Sequence, residues 1–199
     1  MKELAFFGAF NPPTKAHAAL AQFAMKETGA ERVVFVPSKA EYISSDQGKD
    51  YAYTDAQRLA MLEKMRESRP WMAVSAWDMR QLMQPRTYDT LCHFRSEGHT
   101  PALLMGSDKL PELEHGWLHV EEIAREFGIV CLARGSDECE KMLREDAYLR
   151  TLSPFIRVLK TPEETRFVSS TAVRRQIAKL REAQTALREN VPEEILPLL

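Results

Sequence analysis

The chain lacks both common phosphate-binding fingerprints: no GxxxxGK[ST] occurs, and no GxGxxG follows an apolar run. Its three cysteines, Cys92, Cys131 and Cys139, are odd in number and show no CxxC spacing. That argues against a disulfide framework and for a reducing, cytosolic setting. No apolar stretch approaches the ~20 residues needed to span a bilayer. The start, MKELAFFGAF, is broken by Glu3 and then by Asn11-Pro12, which makes a poor signal peptide. A net charge of −2 over 199 residues leaves no whole-molecule basic field for nucleic acid. Internal repeats, low-complexity tracts and linkers are absent too. The expectation is one soluble, cytoplasmic domain over 1–199, with no nucleic-acid or membrane partner. Its oligomeric state is open, a homo-oligomer included.

What is present is alternation. Short apolar runs begin at Leu4 (LAFFGAF), Val33 (VVFVPS), Met72 (MAVSAW), Ala102 (ALLMGSD), Gly128 (GIVCLARG) and Ile156 (IRVLK). Several are apolar nearly throughout, as strands covered on both faces are. Helical patterns lie between them: TKAHAALAQFAMKETG with Gly29 as its stop, TDAQRLAMLEKMRES capped by Thr54 or Asp55, TYDTLCHFRSEG, the stretch around HVEEIAREFG, and SSTAVRRQIAKLREA. This predicts an α/β fold, a Rossmann-like doubly wound parallel sheet. The polar connection SKAEYISSDQGKDYAYTD is long enough to suggest function.

In a parallel sheet all strand C-termini share one edge, where ligands bind. Gly8 to Asn11, Pro37 to Lys39, Gly106 to Asp108, Arg134, and Ser169 to Thr171 all fall at or just beyond such ends. The rim formed there is the expected site.

At the first strand's exit, FFGAFNPPTKAH places small Gly8 and Ala9 where a phosphate could approach the backbone. Thr14 reads as an N-cap. Thr14 and His17 are neighbours on the first helical turn, where an anion would meet unpaired N–H groups and the positive end of the helix dipole. His17 also shares a face with Leu20 and Ala24, so taken alone it reads more simply as a partly buried histidine with a satisfied hydrogen bond. A second phosphate candidate is RFVSSTAVRRQ. Ser169, Ser170 and Thr171 offer hydroxyls at a helix start, and Arg174 and Arg175 stand where cations are disfavoured unless an anion is near. A capped surface helix with solvated arginines is the alternative.

With these two segments, the sequence resembles the HxGH-type nucleotidylyltransferases, and more narrowly the nicotinate- or nicotinamide-mononucleotide adenylyltransferases. GAFNPPTKAH stands where that family has Gly-(Gly/Ser)-Phe-(Asp/Asn)-Pro-x-(His/Thr)-x-Gly-His, and FVSSTAVR where it has Ile-Ser-Ser-Thr-x-Ile-Arg. QRLAML, TYDTL, MGSDKLPELEHGW and VPEEILPLL are supporting matches. Thr14 replaces the first His, as in phosphopantetheine adenylyltransferases, and Ala16 replaces the Gly.

The resemblance implies a nucleotidylyltransferase-type sheet and transfer of AMP from ATP to a pyridine mononucleotide, with release of pyrophosphate. It implies His17, Thr14 and Arg174 as catalytic residues. ATP would be held by Gly8, Ala9, Phe10, Thr14, His17, Gly106, Asp108, Arg134, Ser169, Ser170, Thr171 and Arg174. Thr87, Tyr88, Thr90 and Trp117 would meet the mononucleotide base, and Lys39 or Lys49 its phosphate. Mg²⁺ would travel with the triphosphate, with no protein metal site. Another adenylyltransferase of the superfamily, such as one acting on phosphopantetheine, and an inactive nucleotide-binding regulator are the rival readings.

Other features are expected to be structural. His115 and His119 have metal-compatible spacing, but Gly116 interrupts the helix and no third ligand is evident. Cys131, Trp71 and Trp77 read as packing residues, and the charged run from SDECEKMLRED to Arg150 as a solvated helix.

Overall fold

Leu4 and Ala5 are both wholly buried although successive strand residues point to opposite faces, so the first strand is covered on both sides. In the computed structural model, which describes residues 2–45, 53–133, 138–162, 173–180 and 182, that strand, β1 (Glu3–Gly8), is central. The others are β2 (Arg32–Pro37), β3 (Met72–Val74), β4 (Ala102–Gly106), β5 (Ile129–Ala133) and β6 (Ile156–Lys160). They form one parallel sheet in the order β3-β2-β1-β4-β5-β6.

Helices cover both faces. On one, α1 (Lys15–Thr28) and α3 (Asp55–Arg66) lay Leu20, Ala21, Ala24 and Leu62 against Leu4, Phe6, Val33, Phe35 and Leu104. On the other, α5 (Thr87–Ser96) and α7 (Val120–Glu126) lay Leu91, Phe94, Ile123 and Ala124 against Ala5, Val34, Leu103 and Met105. Thr14 caps α1, and Gly29 ends it at φ +70°, a conformation glycine adopts without a Cβ penalty. Thr54, not Asp55, caps α3.

Three expectations change. The long polar connection contains a short helix, α2 (Ala40–Ser45), and β3 has only three residues because Trp77 already begins α4 (Trp77–Arg80). The charged run is two helices, α8 (Cys139–Glu145) and α9 (Ala147–Leu152), broken at Asp146. They are not simply solvated, since Cys139, Leu143, Leu149 and Leu152 are buried in the α5–α7 core. A 3₁₀ stretch (Ser107–Glu112) follows β4 and runs into α6 (Leu113–Gly116). Among the described residues, no helix is long and apolar enough to cross a membrane.

The topology creates a crevice. The chain moves outward from β1 to β2 and β3, then returns to place β4 on the other side of β1, which is the switch point at which such sheets bind ligands. β1 pairs with β2 through Gly8↔Pro37, but with β4 only as far as Phe6↔Leu104. The last residues of β1 and β4 are therefore unpaired with each other, and the crevice opens there.

Candidate functional site

Beyond Gly8 the chain turns sharply. Phe10 has φ +43°, a left-handed conformation rarely taken by bulky residues and enriched at functional turns. Its ring folds back over Gly8, where an added Cβ would meet it at 3.1 Å. Gly8 is thus small to admit the Phe10 ring, a reason the sequence does not reveal. The buried ring also stands edge-on to Phe6 at 5.5 Å and to His17 at 5.1 Å.

Thr14 and His17 form a reciprocal cap. The Thr14 hydroxyl accepts from the His17 N–H at 3.4 Å, and His17 Nδ1 accepts from the Thr14 N–H at 2.9 Å. Because a backbone N–H can only donate, a neutral His17 ring carries its proton on Nε2. The cap therefore fixes both the orientation and the tautomer of His17.

The turn is held from below by Arg58 of α3, which is fully buried. Its Nη1 donates to the Ala9 carbonyl at 2.7 Å, its Nε to the Tyr53 carbonyl at 3.1 Å, and its Nη2 to Asp55 at 2.6 Å. Burial pulls its pKa down and the Asp55 carboxylate opposes that shift. Asn11, also buried, accepts through Oδ1 from the Tyr53 N–H at 3.0 Å. Arg174, in the helical residues 173–180, donates to the Asn11 carbonyl. The two segments singled out at opposite ends of the sequence do meet at Arg174 and Asn11.

On the β2 side, the Ser38 N–H donates to the Gly8 carbonyl at 3.0 Å. Lys39 comes next, with its ammonium bound to the carbonyls of Met79 and Gln81 at 3.1 and 2.6 Å. Thr90 is wholly buried, and its hydroxyl donates to Asp78 at 2.8 Å. Tyr88 turns along α7, stacking on His119 at 5.0 Å with its hydroxyl 3.3 Å from Glu126. Thr87 begins α5 and is half-buried.

On the β4 side, Gly106 ends the strand, Asp108 is exposed on the 3₁₀ stretch, and Trp117 packs half-buried against the α7 core. Trp71 packs as expected, while Trp77 stacks on His93 at 4.5 Å. His115 and His119 fall on separate elements, on α6 and just before α7. Lys49, Arg134, Ser169, Ser170 and Thr171 lie outside the described residues.

Sequence reasoning gave Arg58, Asn11 and Asp78 no role of their own. Arg58 had a signal: it stands four before Leu62 on the face that α3 buries.

The model of the cytidylyltransferase-like family matches residues 5–176. A Neisseria meningitidis protein named "Probable nicotinate-nucleotide adenylyltransferase" is 34% identical over 89% of this chain and 88% of its own. The chain belongs to this family of nicotinate-nucleotide adenylyltransferases. A family member from Caldicellulosiruptor bescii, named in the same words, is 26% identical over 98% of this chain and 96% of its own. The fold is shared with Plasmodium falciparum nicotinic acid mononucleotide adenylyltransferase, solved as complexed with NaAD. That structure matches with a TM-score of 0.64 at 18% identity, covering 88% of this chain and 83% of that one.

Proposed function

We propose that the chain transfers AMP from ATP to nicotinate mononucleotide, giving the deamido dinucleotide and pyrophosphate. The mononucleotide phosphate oxygen attacks the α-phosphorus in line. A new P–O bond forms, the bond to the β-phosphate oxygen breaks, and its electrons leave with pyrophosphate. No protein nucleophile is needed, so the chain's contribution is positioning and charge stabilisation.

The observation that carries this reading is the Thr14–His17 cap at the β1–β4 switch point. It directs a neutral imidazole with its proton on Nε2, a donor suited to charge growing on the α-phosphate. Thr14 and the Gly8–Phe10 backbone line the same turn, and Arg174 brings a positive charge to it. Ser169, Ser170, Thr171, Arg134 and Lys49 join this proposal on sequence resemblance alone. Gly106 and Asp108, across the crevice, are suited to the adenosine ribose, and Trp117, with Thr87 at the α5 start, to the pyridine ring.

The groups gathered at the turn are mainly donors and cations, which suit an anion rather than a bare metal. Mg²⁺ would therefore be held by phosphate oxygens and water. The three free thiols support a cytoplasmic location. The test is pyrophosphate release from MgATP with nicotinate mononucleotide, nicotinamide mononucleotide or phosphopantetheine as acceptor. The reading requires the highest kcat/KM with the first, and turnover only with phosphopantetheine would overturn it.

A further inference from the structure

Among the described residues, Asp78 is the one buried carboxylate, at 1% exposure. It lies in α4, beyond β3. Thr90, in the first turn of α5, donates to its Oδ1 at 2.8 Å, and Gln84 Nε2 donates to its Oδ2 at 2.8 Å. Gln84 Oε1 in turn accepts from the Lys39 N–H at 2.7 Å. The Lys39 ammonium closes the ring on the carbonyls of Met79 and Gln81. One residue earlier, Ser38 is bonded to Gly8 at the phosphate turn.

The polarity of this ring is forced. The Lys39 N–H can only donate, so Gln84 must turn Oε1 toward it and Nε2 toward Asp78, which must then accept. The segment between α4 and α5 has little apolar anchoring, because Leu82 and Met83 at its tip are 98% and 80% exposed. Its shape is held chiefly by the polar ring. A buried carboxylate is a costly way to fill space, so packing alone does not account for it.

We infer that Asp78 is a positioning residue for the acceptor. Through Gln84 it sets the β2 exit at Ser38–Lys39, and through Thr90 the start of α5, the two segments that flank the β2 side of the turn. This rests on the proposed function, in which the acceptor phosphate must lie beside that turn.

Steady-state kinetics of D78N, Q84E, Q84A and the D78N/Q84E pair, with melting temperatures, test it. In D78N the single amide oxygen can serve only one of the two donors, Thr90 or Gln84 Nε2, and in Q84E two carboxylates face each other. Each should raise the KM for nicotinate mononucleotide about tenfold while the KM for ATP stays within about twofold. Q84A should do the same and carries the test if D78N does not fold. In the pair, the amide introduced at position 78 donates to the carboxylate introduced at position 84, which still accepts from the Lys39 N–H. The acceptor KM should then return to within about threefold of wild type. An unchanged acceptor KM in the single variants would overturn the inference. So would KM values for both substrates that rise together with falling melting temperature, or a pair no better than its worse parent. Each of these leaves the proposed function standing if the wild type turns over. A wild type that does not turn over nicotinate mononucleotide overturns both.

Discussion

Arg174 donates from its guanidinium to the main-chain carbonyl of Asn11, 163 residues earlier in the chain. The contact joins helical residues 173–180 to the turn leaving β1, and it sets a cation beside the proposed triphosphate position. Arg174→Ala should lower kcat/KM for ATP by about 10²-fold, the scale seen when one donor to developing charge is lost. Arg174→Lys should recover only part of this, because an ammonium cannot reproduce the planar fork. Equal kinetics for all three proteins would remove Arg174 from the site.

Arg58 supports the same turn from beneath. Arg58→Met fills similar volume but leaves the Ala9 and Tyr53 carbonyls without their donor, and each orphaned buried acceptor costs about 1–3 kcal/mol. Urea denaturation should show a loss of roughly 3 kcal/mol. kcat should fall as well, because Ala9 belongs to the proposed phosphate turn. A variant of unchanged stability would contradict the role given to these bonds.

Gly8→Ala tests the Phe10 ring. The added methyl would meet that ring at 3.1 Å, and the ring stands against His17. Overpacking of this kind costs about 1–3 kcal/mol. The expected outcome is a lower melting temperature together with reduced kcat, because displacing Phe10 disturbs His17. Reduced stability with normal kcat would separate the two.

Burial raises the Asp78 carboxyl from 3.8 to about 6, against the hydrogen bonds from Thr90 and Gln84 and the charge of His93, with Asp89 reinforcing the shift. Its proton is therefore held more tightly in the folded than in the unfolded chain. Its contribution to stability is fully present below about pH 4 and is lost as pH rises through about 6. Between about pH 5 and 7 this amounts to roughly 1 kcal/mol in favour of the lower pH. Urea denaturation of wild type against D78N at both values isolates the group. A difference between the two proteins that does not change with pH would contradict the shift.

The strand–helix alternation could be read from the sequence because strands buried on both faces appear as unbroken apolar runs. Thr14 and Gly29 were legible for the same local reason: a cap and a stop are decided by a few neighbouring residues. What was not legible depends on distant partners. Arg58 looks like any helix cation until the Ala9 carbonyl, 49 residues away, is brought to it. The bonds of Lys39 to Met79 and Gln81, and of Thr90 to Asp78, likewise join residues that only the fold brings together. The positive φ of Phe10 follows from the fit of its ring over Gly8, which no local pattern announces.

In the proposed reaction His17 donates from Nε2 to the α-phosphate. The most direct test of this role is single-turnover AMP transfer from MgATP to nicotinate mononucleotide by wild type and His17→Ala at saturating substrates. The variant should be slower by about 10²–10³, or roughly 3–4 kcal/mol of transition-state stabilisation. Loss of the reciprocal cap should lower stability by only about 1 kcal/mol. A single-turnover rate within a few-fold of wild type would contradict it.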